Sequence, residues 1–275
     1  MIHEILPHTF DNQYYHKTEI SDDDYVLYYS DNKILLKENE EDFELPRKKD
    51  LTNVSDHFTY LFELDHTPCF LTWNDPRNDD NHFVFKEIYS LRTSDQKEIA
   101  WISSIGFHLM TWYDSNRYCG KCGSKTEEKT DERAIICPNC GHVVYPKISP
   151  AVIVMIKCDD KILLAHNSRF PAQWYSLVAG YADIGESLEE TVIREVKEEV
   201  GLDVKNIRYY KSQPWPFSGS MMIGFIAEAD CNQPVIPDNK EITEAAWFQR
   251  GHLPAYPPKI SIAGEMIEKF DKNEL

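Results

Sequence analysis

Four carboxylates and one arginine within residues 186–199 are the side chains of this chain best suited to phosphate chemistry: Glu186, Arg194, Glu195, Glu198 and Glu199. At helical spacing, Glu195, Glu198 and Glu199 lie on one face near a helix C-terminus. Like charges repel there, and the helix dipole is also unfavourable. A bound cation resolves this conflict, and oxygen ligands suit Mg²⁺ or Mn²⁺. The alternative is a solvated acidic helix face.

A single helix is predicted to position these side chains. Ser187 and Glu190 have the spacing of a capping box, so the helix should begin near Leu188. Gly201 suits the left-handed turn that follows a helix C-terminus. The apolar residues that recur at helical spacing predict the face that packs on the rest of the domain. They are Leu188, Val192, Val196 and Val200.

Four of the seven cysteines form two close doublets, Cys119 with Cys122 and Cys137 with Cys140. Two residues separate the thiols of each doublet, so all four sulfurs can face one ion. Four thiolates predict a closed, structural zinc site. The alternative is four buried cysteines without a metal. The odd count, in a chain that begins without a secretory signal, favours reduced thiols.

The composition favours a soluble acidic protein. The chain has 275 residues, a net charge of −17 and 27% charged residues. This charge disfavours non-specific binding to nucleic acid and to anionic membranes. No apolar run approaches the roughly 20 residues of a membrane-spanning helix, and the first residues lack the regions of a secretory signal. We therefore expect a cytoplasmic protein without a membrane partner.

The pattern of residues predicts three consecutive parts, namely a β-rich amino-terminal domain (1–114), a zinc ribbon (115–146) and a catalytic domain (147–275). Strand-like runs of aromatic and β-branched residues in the first part occur at 25–38, 57–73 and 82–91. A helix capped by Ser94 or Asp95 should then extend to about Tyr113.

The catalytic part alternates strand-like runs with the helix described above. The runs lie at 151–166, 174–181, 207–217, 221–229 and 244–249, with a final helix near 261–270. The first run is predicted to be a hairpin that turns at Asp159 and Asp160. Strands on both sides of a central helix, followed by a last helix, fit an α/β/α sandwich with a mixed sheet. The whole chain is therefore expected to be of the α+β class.

A proline-rich segment, SQPWPFSGS at 212–220, follows the acidic helix. Pro214 and Pro216 stiffen the backbone around Trp215 and Phe217. Aromatic rings that are held rigidly suit stacking on a nucleobase or a nicotinamide ring. The alternative, which composition alone favours, is an ordinary connection with aromatic residues in the core.

The stretch 180–202 matches the Nudix box at every fixed position, which are Gly180, Glu186, Arg194, Glu195, Glu198, Glu199 and Gly201. With the four cysteines and SQPWPF, the chain resembles the NADH pyrophosphatase branch of the Nudix hydrolases over about residues 94–270. Two positions depart from the motifs of that branch. Ser218 stands where a third proline is usual, and Gly264 stands where many members have arginine, which leaves the substrate preference open.

The resemblance implies roles for the acidic cluster. Glu195 and Glu199 would ligate catalytic Mg²⁺ or Mn²⁺, and Glu198 would act as a further ligand or as the base. Glu241 matches an additional acidic residue of the family, and it would also ligate the metal or accept the proton. Arg194 would orient the box by pairing with a carboxylate through its rigid planar fork.

The resemblance also implies a substrate site. Tyr181 would stack on the nicotinamide ring, and Trp215 would do so from the neighbouring subunit of a homodimer. Tyr145 and Ala263 match further ligand-contacting positions. Gln213 and Phe217, which lie in the proline-rich motif, complete the expected substrate-binding set.

These roles together imply metal-dependent hydrolysis of NADH, and of NAD, to nicotinamide mononucleotide (reduced from NADH) and AMP. NAD-capped RNA carries the same pyrophosphate and is a further expected substrate. An ADP-ribose or dinucleoside-polyphosphate pyrophosphatase is an alternative, because it would share the box and its metals. A nucleic-acid-binding module built on the zinc ribbon is a second alternative, against which the net charge of −17 and the intact carboxylate set both speak.

Overall fold

The computed structural model of the chain divides into two compact units. The amino-terminal unit comprises residues 2–147 and 216–219, and the carboxy-terminal unit comprises 148–215 and 220–275 with Met1. The residues that the structure describes are 1–15, 17, 19–39, 42–52, 57–77, 82–171 and 173–275. Among the helices of these residues, none combines the length and apolar character needed to cross a lipid bilayer.

The first part of the amino-terminal unit is rich in β-structure, as expected. Its strands are β1 (Phe10–Asp11), β2 (Tyr25–Leu27), β3 (Tyr29–Ser30), β4 (Lys33–Glu38), β5 (Phe43–Glu44), β6 (Phe58–Leu64), β7 (Thr67–Thr72) and β8 (Phe83–Glu87). They form one sheet in the order β1-β6-β7-β2 and a second in which β4 pairs with β3, β5 and β8. The strand-like run predicted at 25–38 thus forms three strands, of which β3 and β4 pair with each other, whereas β2 pairs with β7 in the other sheet.

Two helices follow these sheets, α1 (Ile88–Leu91) and α2 (Lys97–Ser115). The strand predicted at 82–91 was wrong at its end, since the chain turns into α1 directly after β8. The predicted caps of α2 were also wrong, because Gln96 is the N-cap residue. The hydroxyl of Ser94, two residues before the N-cap, instead accepts a hydrogen bond from the backbone N–H of Gln96 at 3.2 Å.

The zinc ribbon of the amino-terminal unit is a small antiparallel sheet of β9 (Glu127–Glu128), β10 (Ile135–Ile136) and β11 (Val143–Val144), with β10 in the centre. Arg133 connects it to the preceding sheets, because its guanidinium donates to the side chain of Asn12 at 2.7 Å and to the carbonyl of Leu61. The hydroxyl of Tyr14 donates to the carbonyl of Lys129 at 2.9 Å. The ribbon is therefore fixed within its own unit.

The carboxy-terminal unit contains one six-stranded mixed sheet between two helices. The elements are β12 (Ser149–Cys158), β13 (Lys161–Asn167), β14 (Val178–Tyr181), α3 (Leu188–Val200), β15 (Lys205–Trp215), β16 (Ser220–Glu228), β17 (Ile242–Gln249) and α4 (Ile262–Asp271). The strand order is β15-β16-β12-β13-β17, and β14 also pairs with β12. Only the pairing of β12 with β16 is parallel.

The alternation of side chains along β12 explains the two packed faces. Val152 and Val154 belong to the core that also contains the apolar row of α3. Ile153 and Met155 point to the opposite face and pack with α4, for example against Phe270. This alternation is the two-residue period of a strand that is covered on both sides. The predicted α/β/α sandwich is confirmed.

The expectation that all cysteines are reduced was wrong for two cysteines of the carboxy-terminal unit. Cys158, the last residue of β12, forms a disulfide with Cys231, which lies in the loop after β16, and their Cα atoms are 5.6 Å apart. The two cysteines are 73 positions apart, so no local pattern indicates their pairing. Cys69 is buried in β7 as a free thiol.

Candidate active site

Helix α3 carries the acidic cluster, and its ends lie where the sequence places them. The capping box is formed: the backbone N–H of Glu190 donates to the hydroxyl of Ser187, and the carboxylate of Glu190 accepts from the backbone N–H of Ser187 at 2.8 Å. Gly201 ends the helix with a φ of 76°. Val192, Val196 and Val200 are fully buried, so the apolar row holds the opposite, acidic face in place.

Arg194 lies at the centre of the site and bonds to four acceptor groups. Its Nε and Nη2 atoms donate to the two carboxylate oxygens of Glu186 at 2.5 and 2.9 Å. Its Nη1 donates to Glu195 at 2.7 Å and to Glu198 at 3.2 Å. Its Nη2 also donates to the carbonyl of Tyr181 at 3.0 Å. The guanidinium therefore joins the loop before α3, the end of β14 and the helix face.

Glu186 remains a carboxylate at any physiological pH. The guanidinium of Arg194, the backbone N–H of Asp183 and the hydroxyl of Thr191 lower the pKa of Glu186 to about 2. The N–H of Asp183 and the hydroxyl of Thr191 donate to the same oxygen of Glu186 at 3.0 and 3.1 Å. Asp183 belongs to the loop, whereas Thr191 and Arg194 belong to α3, so Glu186 holds the loop against the helix.

Glu195 packs directly against the backbone of β14. A methyl group added at Gly180 would overlap the carboxylate group of Glu195. Glycine at this position therefore lets the carboxylate of Glu195 lie directly on β14, and a side chain there would require that carboxylate to move. The side chain of Glu195 is 12% exposed and that of Glu198 is 61% exposed. The first is fixed against the strand, whereas the second can reach a solvent molecule.

Glu199 is the most deeply buried member of the cluster, with only 7% of its surface exposed. Burial and the negative charges of Glu195, Glu241 and Asp238 raise its pKa to about 8. Among the described residues, its Oε2 atom is buried and has no hydrogen-bond partner. A buried carboxylate oxygen without a donor, surrounded by three further carboxylates, fits a divalent cation.

Glu241 is held near Glu199 by a turn that the sequence analysis did not identify. The carboxylate of Asp238 accepts hydrogen bonds from the backbone N–H groups of Lys240, Glu241 and Ile242. The backbone N–H of Asp238 donates to the carbonyl of Glu199 at 3.1 Å. An aspartate two to four residues before a strand is a common turn signal that could have indicated this role.

The carboxylate oxygens of Glu195, Glu198, Glu199 and Glu241 do not all lie within 4.8 Å of one another. Among the described residues, the four cysteines of the ribbon form a group with every ligand atom within 4.8 Å of the others, as do Cys158, Asp159 and Cys231. Glu195, Glu198, Glu199 and Glu241 do not appear in such a group. Arg194 bonds to two of them instead, so the positive charge within the cluster comes from the guanidinium.

The four cysteines of the zinc ribbon are arranged as the spacing predicts. The Sγ atoms of Cys119 and Cys140 are 3.6 Å apart, and those of Cys122 and Cys137 are 3.5 Å apart. Tetrahedral zinc with Zn–S distances of about 2.3 Å requires sulfurs about 3.8 Å apart. Hydrogen bonds from Ser124 lower the pKa of the Cys122 thiol to about 5, which favours a thiolate. The site fits a structural zinc ion.

The residues expected to bind substrate lie in both units. Tyr181 ends β14 beside the acidic helix and is 53% exposed, as stacking on a ligand requires. Trp215 is the last residue of β15 in the same unit and is partly buried. Phe217 belongs to the amino-terminal unit, where its ring packs edge-on against Tyr89. Tyr145 also belongs to that unit, and its hydroxyl donates to Glu132 at 3.1 Å.

Gln213 and Ala263 are both buried, in contrast to the expected contact with substrate. The amide of Gln213 donates to the carbonyl of Ile260 at 2.9 Å and accepts from the backbone N–H of Ile262 at 2.6 Å. Gln213 thus holds the first turn of α4, and its side chain has no exposed surface for a ligand. A methyl group at Gly264 would overlap backbone carbonyls of the preceding prolines, so an arginine does not fit there without moving the backbone.

Family comparisons cover most of the chain. Residues 147–270 match the NUDIX domain, residues 114–145 match the NADH pyrophosphatase zinc ribbon domain, and residues 23–112 match the NADH pyrophosphatase-like rudimentary NUDIX domain. The last match was not expected from the sequence, because residues 23–112 contain no Nudix box.

Individual relatives carry names of enzymes. The NAD-capped RNA hydrolase NudC of Stutzerimonas stutzeri (strain A1501) is 45% identical over 160 residues, which are 58% of this chain and 58% of that protein. NudC of Escherichia coli O1:K1 / APEC is 44% identical over 163 residues, or 59% of this chain and 63% of that protein. The chain thus matches less than two thirds of the length of these relatives.

Among solved structures, a NUDIX hydrolase from Nitrosomonas europaea resembles the chain with a TM-score of 0.49 and 21% identity. The match covers 57% of this chain and 90% of that one.

Proposed function

Since this chain belongs to the NADH pyrophosphatase branch of the Nudix hydrolase superfamily, we propose that it hydrolyses the pyrophosphate bond of NADH and NAD. The products are AMP and nicotinamide mononucleotide, which is reduced when NADH is the substrate. The single observation that carries this proposal is the buried oxygen of Glu199, which has no hydrogen-bond donor among the described residues and is surrounded by carboxylates. Such an oxygen is suited to a cation that also binds phosphate.

The proposed cofactor is Mg²⁺ or Mn²⁺, held by Glu195, Glu198, Glu199 and Glu241. When held by these carboxylates, the ion would supply charge neutralisation of the pyrophosphate and would lower the pKa of an attacking water molecule. Glu198 is the most exposed acid of α3 in this set, and it or Glu241 accepts the proton of that water. Arg194 keeps the loop and the helix in register throughout.

Recognition of the dinucleotide is proposed to depend on aromatic stacking. Tyr181 is exposed at the end of β14, next to the carboxylates, and an aromatic face there suits the nicotinamide ring. Trp215 and Tyr145 are proposed to contribute further contacts, with Trp215 reaching the other subunit of a homodimer. Phe217 and Ala263 remain in the proposed set with less support, because one packs on Tyr89 and the other is buried.

NAD-capped RNA is proposed as a second substrate, because the relatives reported above bear that name and because the cap contains the same pyrophosphate. We also propose a cytoplasmic location, which the zinc site of four thiolates favours, whereas the disulfide of Cys158 and Cys231 does not. The proposed domains are 1–114, 115–146 and 147–275, and zinc is the proposed structural ion of the second.

The test is an analysis of products from NADH incubated with the full-length protein and Mg²⁺ or Mn²⁺. We expect equal amounts of AMP and reduced nicotinamide mononucleotide, and loss of both with Glu199→Gln. The matched control is Glu189→Gln, an exposed residue in the first turn of the same helix. Faster hydrolysis of ADP-ribose than of NADH would overturn the proposed preference, and no hydrolysis of any dinucleotide would overturn the activity.

A further inference from the structure

The amino-terminal unit contains a cavity of about 470 Å³ that none of the roles above uses. It lies where the end of β7, the end of α2 and strand β9 of the zinc ribbon meet. Its volume falls within the range of about 300–1,000 Å³ that is typical of pockets for small ligands. Its lining includes aromatic, basic and acidic side chains, namely Trp73, Tyr113, Arg117, Lys125, Glu127 and Glu128.

One wall of the cavity combines aromatic rings with a cation that is held in place. The guanidinium carbon of Arg117 lies 4.8 Å from the centroid of the Trp73 ring. Its Nη2 is 2.7 Å from a carboxylate oxygen of Asp114. The backbone carbonyl of Arg117 accepts from the N–H of Thr126 at 3.0 Å. Arg117 is thus oriented by three contacts, and Trp73 is only partly buried, so its indole is accessible to a ligand.

Lys125 provides a second cation. Tyr118, the residue after Arg117, forms an isolated β-bridge with Lys125, which brings Lys125 next to Arg117. The chain as a whole has a net charge of −17. Arg117 and Lys125 are the cations of a lining that also contains carboxylates, and together they suit one phosphate group.

Carboxylates supply the third part of the lining. Glu127 and Glu128 form β9, and an oxygen of Glu128 accepts from the hydroxyl of Thr59 at 2.7 Å, which fixes that carboxylate. Carboxylates accept hydrogen bonds only. The ligand must therefore present donors, such as hydroxyl or amino groups, as well as an anionic group and a flat ring.

We propose that this cavity binds a nucleoside 5′-phosphate. The base stacks on Trp73, the phosphate lies between Arg117 and Lys125, and the carboxylates of Glu127 and Glu128 accept from ribose hydroxyls or from exocyclic amino groups. Aromatic stacking beside cations is the usual means of binding single nucleotides without base specificity. The nucleotide has two sources with the same chemistry, namely a free mononucleotide or one unit of a single-stranded RNA.

The first experiment measures binding by calorimetry of AMP, adenosine and a 5′-phosphorylated five-nucleotide RNA to the full-length protein without divalent metal. Trp73→Ala should weaken the binding of all three by at least about fivefold, the lower limit for loss of one stacked base. Lys125→Ala should weaken AMP and RNA but leave adenosine unchanged, because adenosine has no phosphate. Lys121→Ala is the matched control, since Lys121 is exposed in the same ribbon and does not line the cavity.

The second experiment distinguishes free mononucleotide from RNA as the ligand. It measures hydrolysis and therefore rests on the proposed function, whereas the binding measurements do not. If the nucleotide belongs to RNA, the five-nucleotide RNA binds more tightly than AMP. Lys125→Ala then raises KM for NAD-capped RNA but not for NADH. If the ligand is a free mononucleotide, AMP binds at least as tightly and neither KM changes. Unchanged binding of AMP and RNA in both Trp73→Ala and Lys125→Ala would overturn the proposal, whether or not NADH is hydrolysed.

Discussion

Arg194 and Glu186 form a two-pronged ion pair, in which Nε and Nη2 donate to separate oxygens at 2.5 and 2.9 Å. The two residues are eight positions apart, one in α3 and one in the loop before it. The pair is the means by which a loop without secondary structure is fixed to the acidic face. Its geometry depends on the planar fork of arginine, which lysine does not provide.

Arg194→Lys is therefore expected to keep the charge but to lose most of the activity. The three donors of lysine radiate from a single nitrogen, so they do not reproduce the planar fork by which Arg194 reaches both oxygens of Glu186 and also Glu195. We expect the loop to lose its position and kcat to fall by at least about tenfold, on the order of 1.4 kcal/mol in the activation free energy. The control is Lys197→Ala on the same helix, which pairs with Asp203 away from the cluster. Activity of Arg194→Lys near that of the wild type would mean that the fork is dispensable.

Glu199→Gln is expected to remove most of the hydrolysis while leaving the protein folded. The amide keeps the shape of the side chain, but it removes the charge that a divalent cation requires. Without metal, the raised pKa of about 8 leaves Glu199 mostly protonated near neutral pH, so the amide replaces a neutral acid and the melting temperature should not fall. The measurements are the rate at saturating Mg²⁺ and thermal unfolding in its absence. A substantially lower melting temperature would show that Glu199 has a structural partner instead.

Removal of zinc is expected to destabilise the amino-terminal unit without removing a group from the chemistry. The four sulfurs lie 3.5 to 3.6 Å apart in pairs, and repulsion between thiolates would open the ribbon without a cation. A chelator, or Cys122→Ser, should lower the melting temperature and increase proteolysis around 115–146. Elemental analysis should find one zinc ion per chain. Protein without zinc, and with a melting temperature that ignores the chelator, would contradict this assignment.

Tyr181→Ala is expected to impair hydrolysis of NADH more than that of ADP-ribose. Both substrates contain the pyrophosphate, but only NADH has a nicotinamide ring to stack. Stacking contributes roughly 0.5–1.5 kcal/mol beyond burial, so the ratio of the two kcat/KM values should change by about two- to tenfold. Trp215→Ala should shift the ratio in the same direction. Tyr209→Ala is the control, because Tyr209 is an equally exposed tyrosine in β15. A constant ratio would assign Tyr181 a role other than stacking.

The sequence was most informative where structure depends on neighbours in the chain. The caps at Ser187 and Gly201 are local, because the groups that bond are within four residues of each other. The burial of Gln213 and the disulfide of Cys158 depend on contacts between segments distant in sequence. No local pattern encodes such contacts, so the burial of Gln213 could not be weighed against its expected contact with substrate before the structure was known.

Local sequence patterns also fail to show where the backbone lies close to another element. Gly180 and Gly264 each lie where a side chain would overlap a neighbour, a carboxylate in one case and backbone carbonyls in the other. The motif marked Gly180 as fixed but gave no reason, and it marked Gly264 only as a departure. In both cases the physical reason is the distance between two elements, which single-residue patterns do not report.

Arg194 also has a consequence for binding of the proposed divalent ion. The guanidinium bonds to Glu195 and Glu198, two of the carboxylates proposed to hold the divalent ion. The chain thus contains its own competitor for these ligands, and every incoming ion must exchange with a charge that is already there. The net binding free energy of the ion is therefore its gain from the carboxylates minus the free energy of the contacts that Arg194 gives up. When the ion is scarce, the guanidinium reduces the repulsion between these carboxylates.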